Sequence, residues 1–232
     1  MTLIQEIHAI IEEKSLLKHP FYVAWNEGKL TRAMLQEYAK QYFHHEAAFP
    51  RYLSAIHSNC ENRENRKLIL ENLHDEEGGT KTHPELWMQF GEALGLTRAE
   101  VSECAALPET NSMINTFHML ARTGSTEEAL GAMYAYEYQI PEIARVKIDG
   151  LKKWYGIEKQ DDIEFFTVHE KADEWHSECE RNIFLKVEGK PEKEAALKKW
   201  VSEACDALNL LLDGVYNRYC AKELGAVMMA MA

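Results

Sequence analysis

Cysteine is scarce and scattered. The chain has five, Cys60, Cys104, Cys179, Cys205 and Cys220, an odd number with no CxxC spacing, which argues against a disulfide framework or a zinc ribbon and fits a reducing cytoplasm. Positive charge is also short, at 26 Lys and Arg against 38 Asp and Glu. The resulting net charge of −12 repels phosphates and anionic lipid, so neither nucleic acid nor a membrane surface is an expected partner. Glu6, Glu12 and Glu13 stand where a signal peptide would need a basic start and an unbroken apolar stretch. The apolar tail from Leu224 to Ala232 falls far short of the ~20 residues that span a bilayer, and reads as a frayed or packed end.

Strand-like alternation is missing throughout, and no repeat, low-complexity tract or linker is visible. Helical spacing fills the chain instead. Leu3, Ile4, Ile7, Ile10 and Ile11 mark a first helix within residues 2–18, ended before Pro20. The aromatic stretch Phe21–Gly28 reads as a connector, and Thr31 caps a long helix to Asn59, kinked at Pro50. A third helix over 62–76 precedes Gly78-Gly79, and Pro84 opens the next. Thr97 with Glu100 forms a capping box for a short helix, Pro108 falls in the following loop, and 110–122 is helical. Ser125 with Glu128 opens a helix reaching Tyr155 with a kink at Pro141, and two more helices run over 162–187 and from Pro191 past Leu212. The expectation is an all-α chain of seven to nine helices forming a single domain over 1–232.

The most informative stretch is His169-Glu-Lys-Ala-Asp-Glu-Trp-His176. At 3.6 residues per turn, His169, Asp173 and His176 project from one helical stripe, and Phe165, Phe166, Val168, Ala172 and Trp175 crowd the same segment. A buried stripe of two imidazoles and a carboxylate costs several kcal/mol unless a cation or other partners satisfy it. One helix alone would leave a metal under-liganded. Glu137 sits among Ala132, Met133, Ala135, Tyr136 and Ile140, which turns its carboxylate inward, with a hydrogen bond to Tyr38 or Tyr42 as its bland alternative. Asp75, Glu76 and Glu77 followed by His83 surround a helix break, where His83 could equally be an N-cap and Glu76 a solvated helix end. Histidines and carboxylates from three segments suit two first-row transition metals with carboxylate bridging. The adjacent His44, His45 and Glu46 read as a polar surface group or one that supports the site from behind, because neighbouring helical side chains point about 100° apart.

Four stretches, HPFYVAWNEGKLTRAMLQEYAKQYFHHEAAFPRYLSAIHSNC, DEEGGTKTHPELW, YEYQIPEIARVKIDGL and FFTVHEKADEWH, resemble in order the chlamydial protein associating with death domains (CADD) and its bacterial relatives. These are heme-oxygenase-like dimetal oxidases, neighbours of PqqC and TenA, and the similarity spans roughly residues 15 to 180. The resemblance implies a heme-oxygenase-like bundle, with metal ligands at Glu76, His83, Glu137, His169, Asp173 and His176; Gly78-Gly79 make the connection from Glu76 to His83 flexible, which leaves neighbouring Glu77 as a rival to Glu76. It implies two iron or manganese ions, dioxygen as co-substrate, an external reductant and a homodimer. The activity it implies is synthesis of p-aminobenzoate for folate, with Tyr22 consumed as ring source and Lys147 as amino donor; Tyr134, Tyr136 and Tyr138 are rival tyrosines. Lys147 falls about 80° around one helix from Glu137. Alternatives are a dimetal oxidase acting on an external amine or fatty acid, a metal-free TenA-like or PqqC-like enzyme, and a non-enzymatic death-domain-binding protein, for which no exposed apolar helix is evident.

Overall fold

The computed structural model describes residues 1–230, without the side chains of 171, 172 and 226–230. Among the described residues the chain is helical with no strand. In chain order the helices are α1 (Leu3–Glu13), α2 (Pro20–Asn26), α3 (Arg32–Asn59), α4 (Arg63–Glu77), α5 (His83–Ala93), α6 (Arg98–Ser102), α7 (Pro108–Thr123), α8 (Thr126–Glu137), α9 (Ile140–Tyr155), α10 (Glu164–Phe184), α11 (Pro191–Val215) and, after a π-helical turn at Tyr216–Cys220, α12 (Ala221–Ala230). Twelve segments slightly exceed the seven to nine expected, for local reasons.

The connector Phe21–Gly28 is a helix, because Pro20 presets its first turn and the His19 ring accepts a hydrogen bond from the Phe21 amide at 3.1 Å. It stops at Gly28, whose φ of +65° suits glycine. Pro108 likewise opens α7 instead of lying in a loop. The helix expected from Ser125 to Tyr155 is two, because the chain turns at Tyr138 and Gln139 and Pro141 sits in the first turn of α9. Capping boxes at Thr97/Glu100 and Ser125/Glu128 stand as expected, and α3 begins after Thr31 and continues through Pro50.

α8 is the hub. Every residue from Ala129 to Glu137 is buried, as in a helix covered on all sides, and it packs between α10 and α11. α10 also lies along α9, while α3 packs on α7, α4 and α5. The helix ends that carry Glu76, His83 and Glu137 are thereby gathered against the middle of α10. The five cysteines are free thiols. Among the described residues no helix is long and apolar enough to cross a membrane. The end of the Leu224–Ala232 tail lies outside the described residues.

Candidate metal centre

Glu76 lies in the last turn of α4 and faces inward at 2% exposure, whereas Glu77 turns to solvent. Glu76 is therefore the inward member of the acidic run. The chain then loops through Gly78 and Gly79 to Thr82, whose hydroxyl and Glu85 form a capping box for α5. Thr82, not His83, is the N-cap, so the His83 ring is left to point into the core. Glu137 ends α8, and its Oε1 accepts a hydrogen bond from Asn72 Nδ2 at 2.8 Å instead of from Tyr38 or Tyr42. On α10, His169, Asp173 and His176 are all buried, whereas Trp175 points outward at 55% exposure and does not crowd them. The Ala172 side chain lies outside the described residues.

These six side chains form two trios. Glu76, His83 and His169 make one and Glu137, Asp173 and His176 the other, and within each trio one donor atom per residue lies within 4.8 Å of the others. The pattern of unsatisfied atoms tests whether metal ions fit. Glu76 Oε2 and His83 Nδ1 stand 2.8 Å apart yet make no aligned hydrogen bond, and Glu137 Oε2, Asp173 Oδ2 and His176 Nδ1 have no partner. Buried polar atoms are rarely left so. The outer nitrogens are occupied: His169 Nδ1 donates to the Phe165 carbonyl at 2.7 Å, and His176 Nε2 to Asp75 Oδ2 at 3.1 Å. This fixes each ring and presents its other nitrogen inward, the arrangement usual behind metal-ligating histidines. Imidazoles with carboxylates suit iron, manganese or zinc.

Electrostatics describe the same strain. Burial pushes the Glu137 and Asp173 carboxyls up. Burial alone would lower His176, but the neighbouring Asp173 and Glu137 carboxylates raise it to about 9. His83 is likewise raised by Glu76 against its own burial, while burial and His83 hold His169 well below the ordinary imidazole range. Without a metal, protons collect where a cation would sit.

Beside the first trio is an aromatic pocket. Lys147 is 2% exposed, and its Nζ lies 4.8 Å from the Tyr42 ring centroid, 5.3 Å from those of Tyr38 and Phe166, 5.5 Å from Trp87 and 5.7 Å from Tyr22. Lys147 belongs to α9, not to the helix of Glu137, so the 80° relation does not apply; the turn at 138–139 resets the direction and α9 still turns the lysine inward. Burial pushes its ammonium down to about 7, with Glu46 pulling the other way. Tyr22 is buried with its hydroxyl 3.3 Å from that of Tyr38, and burial holds its phenol well above the ordinary value. Among the rivals, Tyr138 is 42% exposed and Tyr134 bonds His8, whereas Tyr136 bonds Tyr42 and donates to Glu46. His45 and Glu46 are not surface groups. Both are buried, and burial first, then Glu76, lifts Glu46 to about 8.

The sequence matches the family described as iron-containing redox enzymes over residues 36–209. The chain belongs to that family. Among the family's curated relatives, a 4-aminobenzoate synthase of Nitrosomonas europaea is 46% identical over 226 residues, covering 94% of this chain and 92% of that one. A 4-aminobenzoate synthase of Chlamydia trachomatis is 44% identical over 183 residues, 79% of either chain. These bear out the resemblance to the CADD group. A solved structure from Shewanella denitrificans, described as having a heme oxygenase-like fold, superposes with a TM-score of 0.80 at 19% identity over 94% of this chain and 91% of its own. This member of the family thus has the expected heme oxygenase-like fold.

Two groups escaped the sequence reading. Asn72 carried no signal beyond its helix. Glu180, 3% exposed, continues the α10 stripe four residues after His176, a spacing that was legible.

Proposed function

We propose that this protein is a 4-aminobenzoate synthase that builds its product from its own Tyr22, takes the nitrogen from Lys147, and binds two iron or manganese ions through Glu76, His83, His169, Glu137, Asp173 and His176. The observation that carries the reading is the burial of a phenol and an amine in one aromatic pocket against paired carboxylate and imidazole trios. The names of relatives at 44–46% identity support the product.

Bound metal ions would supply dioxygen activation and oxidising power. The chain's own residues do the rest. Tyr38 holds the Tyr22 hydroxyl in place across the 3.3 Å contact between the two phenol oxygens. Phe166 and Trp87, both buried, exclude water from Lys147. With its ammonium lowered to about 7, most of the lysine is a neutral amine at pH 8, against under ~1% for an ordinary lysine. An uncharged nitrogen next to the ring is what amination requires.

The test is to load the reduced protein with iron and manganese, admit air, and follow 4-aminobenzoate and the Tyr22 peptide by mass spectrometry. The expected result is at most a single product molecule per chain, with Tyr22 altered in proportion. Tyr22→Phe should release none while binding as much metal as wild type. Many turnovers with Tyr22 intact would remove it as the ring source.

A further inference from the structure

A cleft of about 590 Å³ opens where the end of α2 meets the C-terminal half of α9. Asn26 borders it on the α2 side, and Val146, Gly150 and Lys153 line it from one stripe of α9. Its Trp154 is 45% exposed yet held in place: the indole Nε1 donates to the Asn26 carbonyl at 3.2 Å, and a Cβ on Gly28 would run into the ring. Lys153 Nζ lies 4.3 Å from the centroid of that indole. Lys152 and Lys153 face a single lining carboxylate, Asp149, so the cleft is cationic in a chain of net charge −12. The wide cleft bordered by α1, α9 and α10 is the opposite, with Glu12, Glu142 and Glu174 against Arg145.

Trp25 forms the wall between this cationic cleft and the pocket of Tyr22 and Lys147. It is fully buried, its ring lies 6.4 Å from that of Tyr22, and its indole nitrogen is so close to Gly150 that a Cβ there would collide with it. That N–H has no hydrogen-bond partner, a condition buried donors rarely keep. Gly150, with no side chain to cover it, is the cleft residue against which the unpaired donor lies.

We propose that this cleft binds an aromatic carboxylate and that its occupant is released 4-aminobenzoate, a choice of ligand that rests on the proposed function. The carboxylate sits over Gly150 between the Trp25 N–H and the Lys153 ammonium, with Lys152 adding charge, and the ring lies against Val146 and the Trp154 indole. Charge-assisted hydrogen bonds reward the first contact and the held indole face rewards the second. 4-Aminobenzoate is ionised at neutral pH and carries one negative charge, the charge that two ammoniums and one carboxylate leave unbalanced.

The experiment is a calorimetric titration of the full chain with 4-aminobenzoate, and with aniline and acetate, which keep only its ring and amine or only its carboxylate. Wild type should bind a single 4-aminobenzoate per chain, and each fragment at least about 10-fold more weakly, because each forfeits one set of contacts. The double variant Lys152→Gln with Lys153→Gln should bind 4-aminobenzoate about 10-fold more weakly. Both lysines are exposed, so its unfolding temperature should match wild type. Trp25→Phe, which keeps a ring and loses the N–H, should weaken binding by about the same factor. Wild-type affinity in the lysine double variant, aniline bound as tightly as 4-aminobenzoate, or no saturable binding to wild type would each overturn the proposal. A protein that makes no 4-aminobenzoate from Tyr22 yet binds it with this pattern would overturn the proposed function and leave the site standing.

Discussion

Replacing Lys147 by methionine should stabilise the metal-free protein while abolishing its product. The lysine is fully enclosed by aromatic rings, and its ammonium falls from the ordinary 10.5 to about 7. At about 1.4 kcal/mol per tenfold change, that depression corresponds to roughly 4–5 kcal/mol of penalty on the charged folded form. The native value lies below the unfolded one. Below pH 7 both states are protonated and the folded chain carries the full cost. Between 7 and 10.5 the unfolded chain binds more protons, so wild-type stability rises with pH. Above 10.5 both states are neutral and the cost is gone. Methionine matches the length and apolar bulk of the lysine stem without its charge, so Lys147→Met should gain most near pH 6, on the order of 10 °C in unfolding temperature, and progressively less toward pH 10. Chemical denaturation of both proteins from pH 6 to 10 measures this. A gain that is absent, or the same at every pH, would refute the claim that burial discharges this lysine.

Gly150 lets α9 meet α2, since a Cβ there would run into the Trp25 indole three residues from Tyr22. Gly150→Ala should cost about 1–3 kcal/mol by overpacking and lower the yield of 4-aminobenzoate, checked by denaturation and single-turnover product analysis. Asn72→Leu removes the only hydrogen-bond donor to the Glu137 side chain among the described residues, and should weaken metal binding about 10- to 100-fold, measured by competition with a chelator.

Much of the fold was legible because helix starts are written in local chemistry. The hydroxyls of Thr31, Thr97 and Ser125 each accept the amide hydrogen bond that the sequence promised. What was missed depended on neighbours. The stretch Phe21–Asn26 reads as aromatic connector until His19 is seen folding back to cap it, and a turn at Tyr138 was hidden in a run of apolar residues that suits a longer helix equally well. The α10 stripe was visible from spacing alone, since two imidazoles and a carboxylate at helical intervals share a face wherever the helix packs. Which carboxylates meet it depends on how α4, α5 and α8 end against α10, and periodicity carries no information about that. Tyr22 and Lys147 drew attention only through resemblance, because a lone tyrosine and a lone lysine look alike in a core and on a surface. Their shared pocket exists only once α2 and α9 are packed together.

The most direct test is a crystal of the protein grown anaerobically with iron and manganese, with anomalous diffraction collected at both metal edges. The account predicts two peaks, one among Glu76, His83 and His169 and the other among Glu137, Asp173 and His176. A single peak, or peaks away from these six side chains, would contradict it.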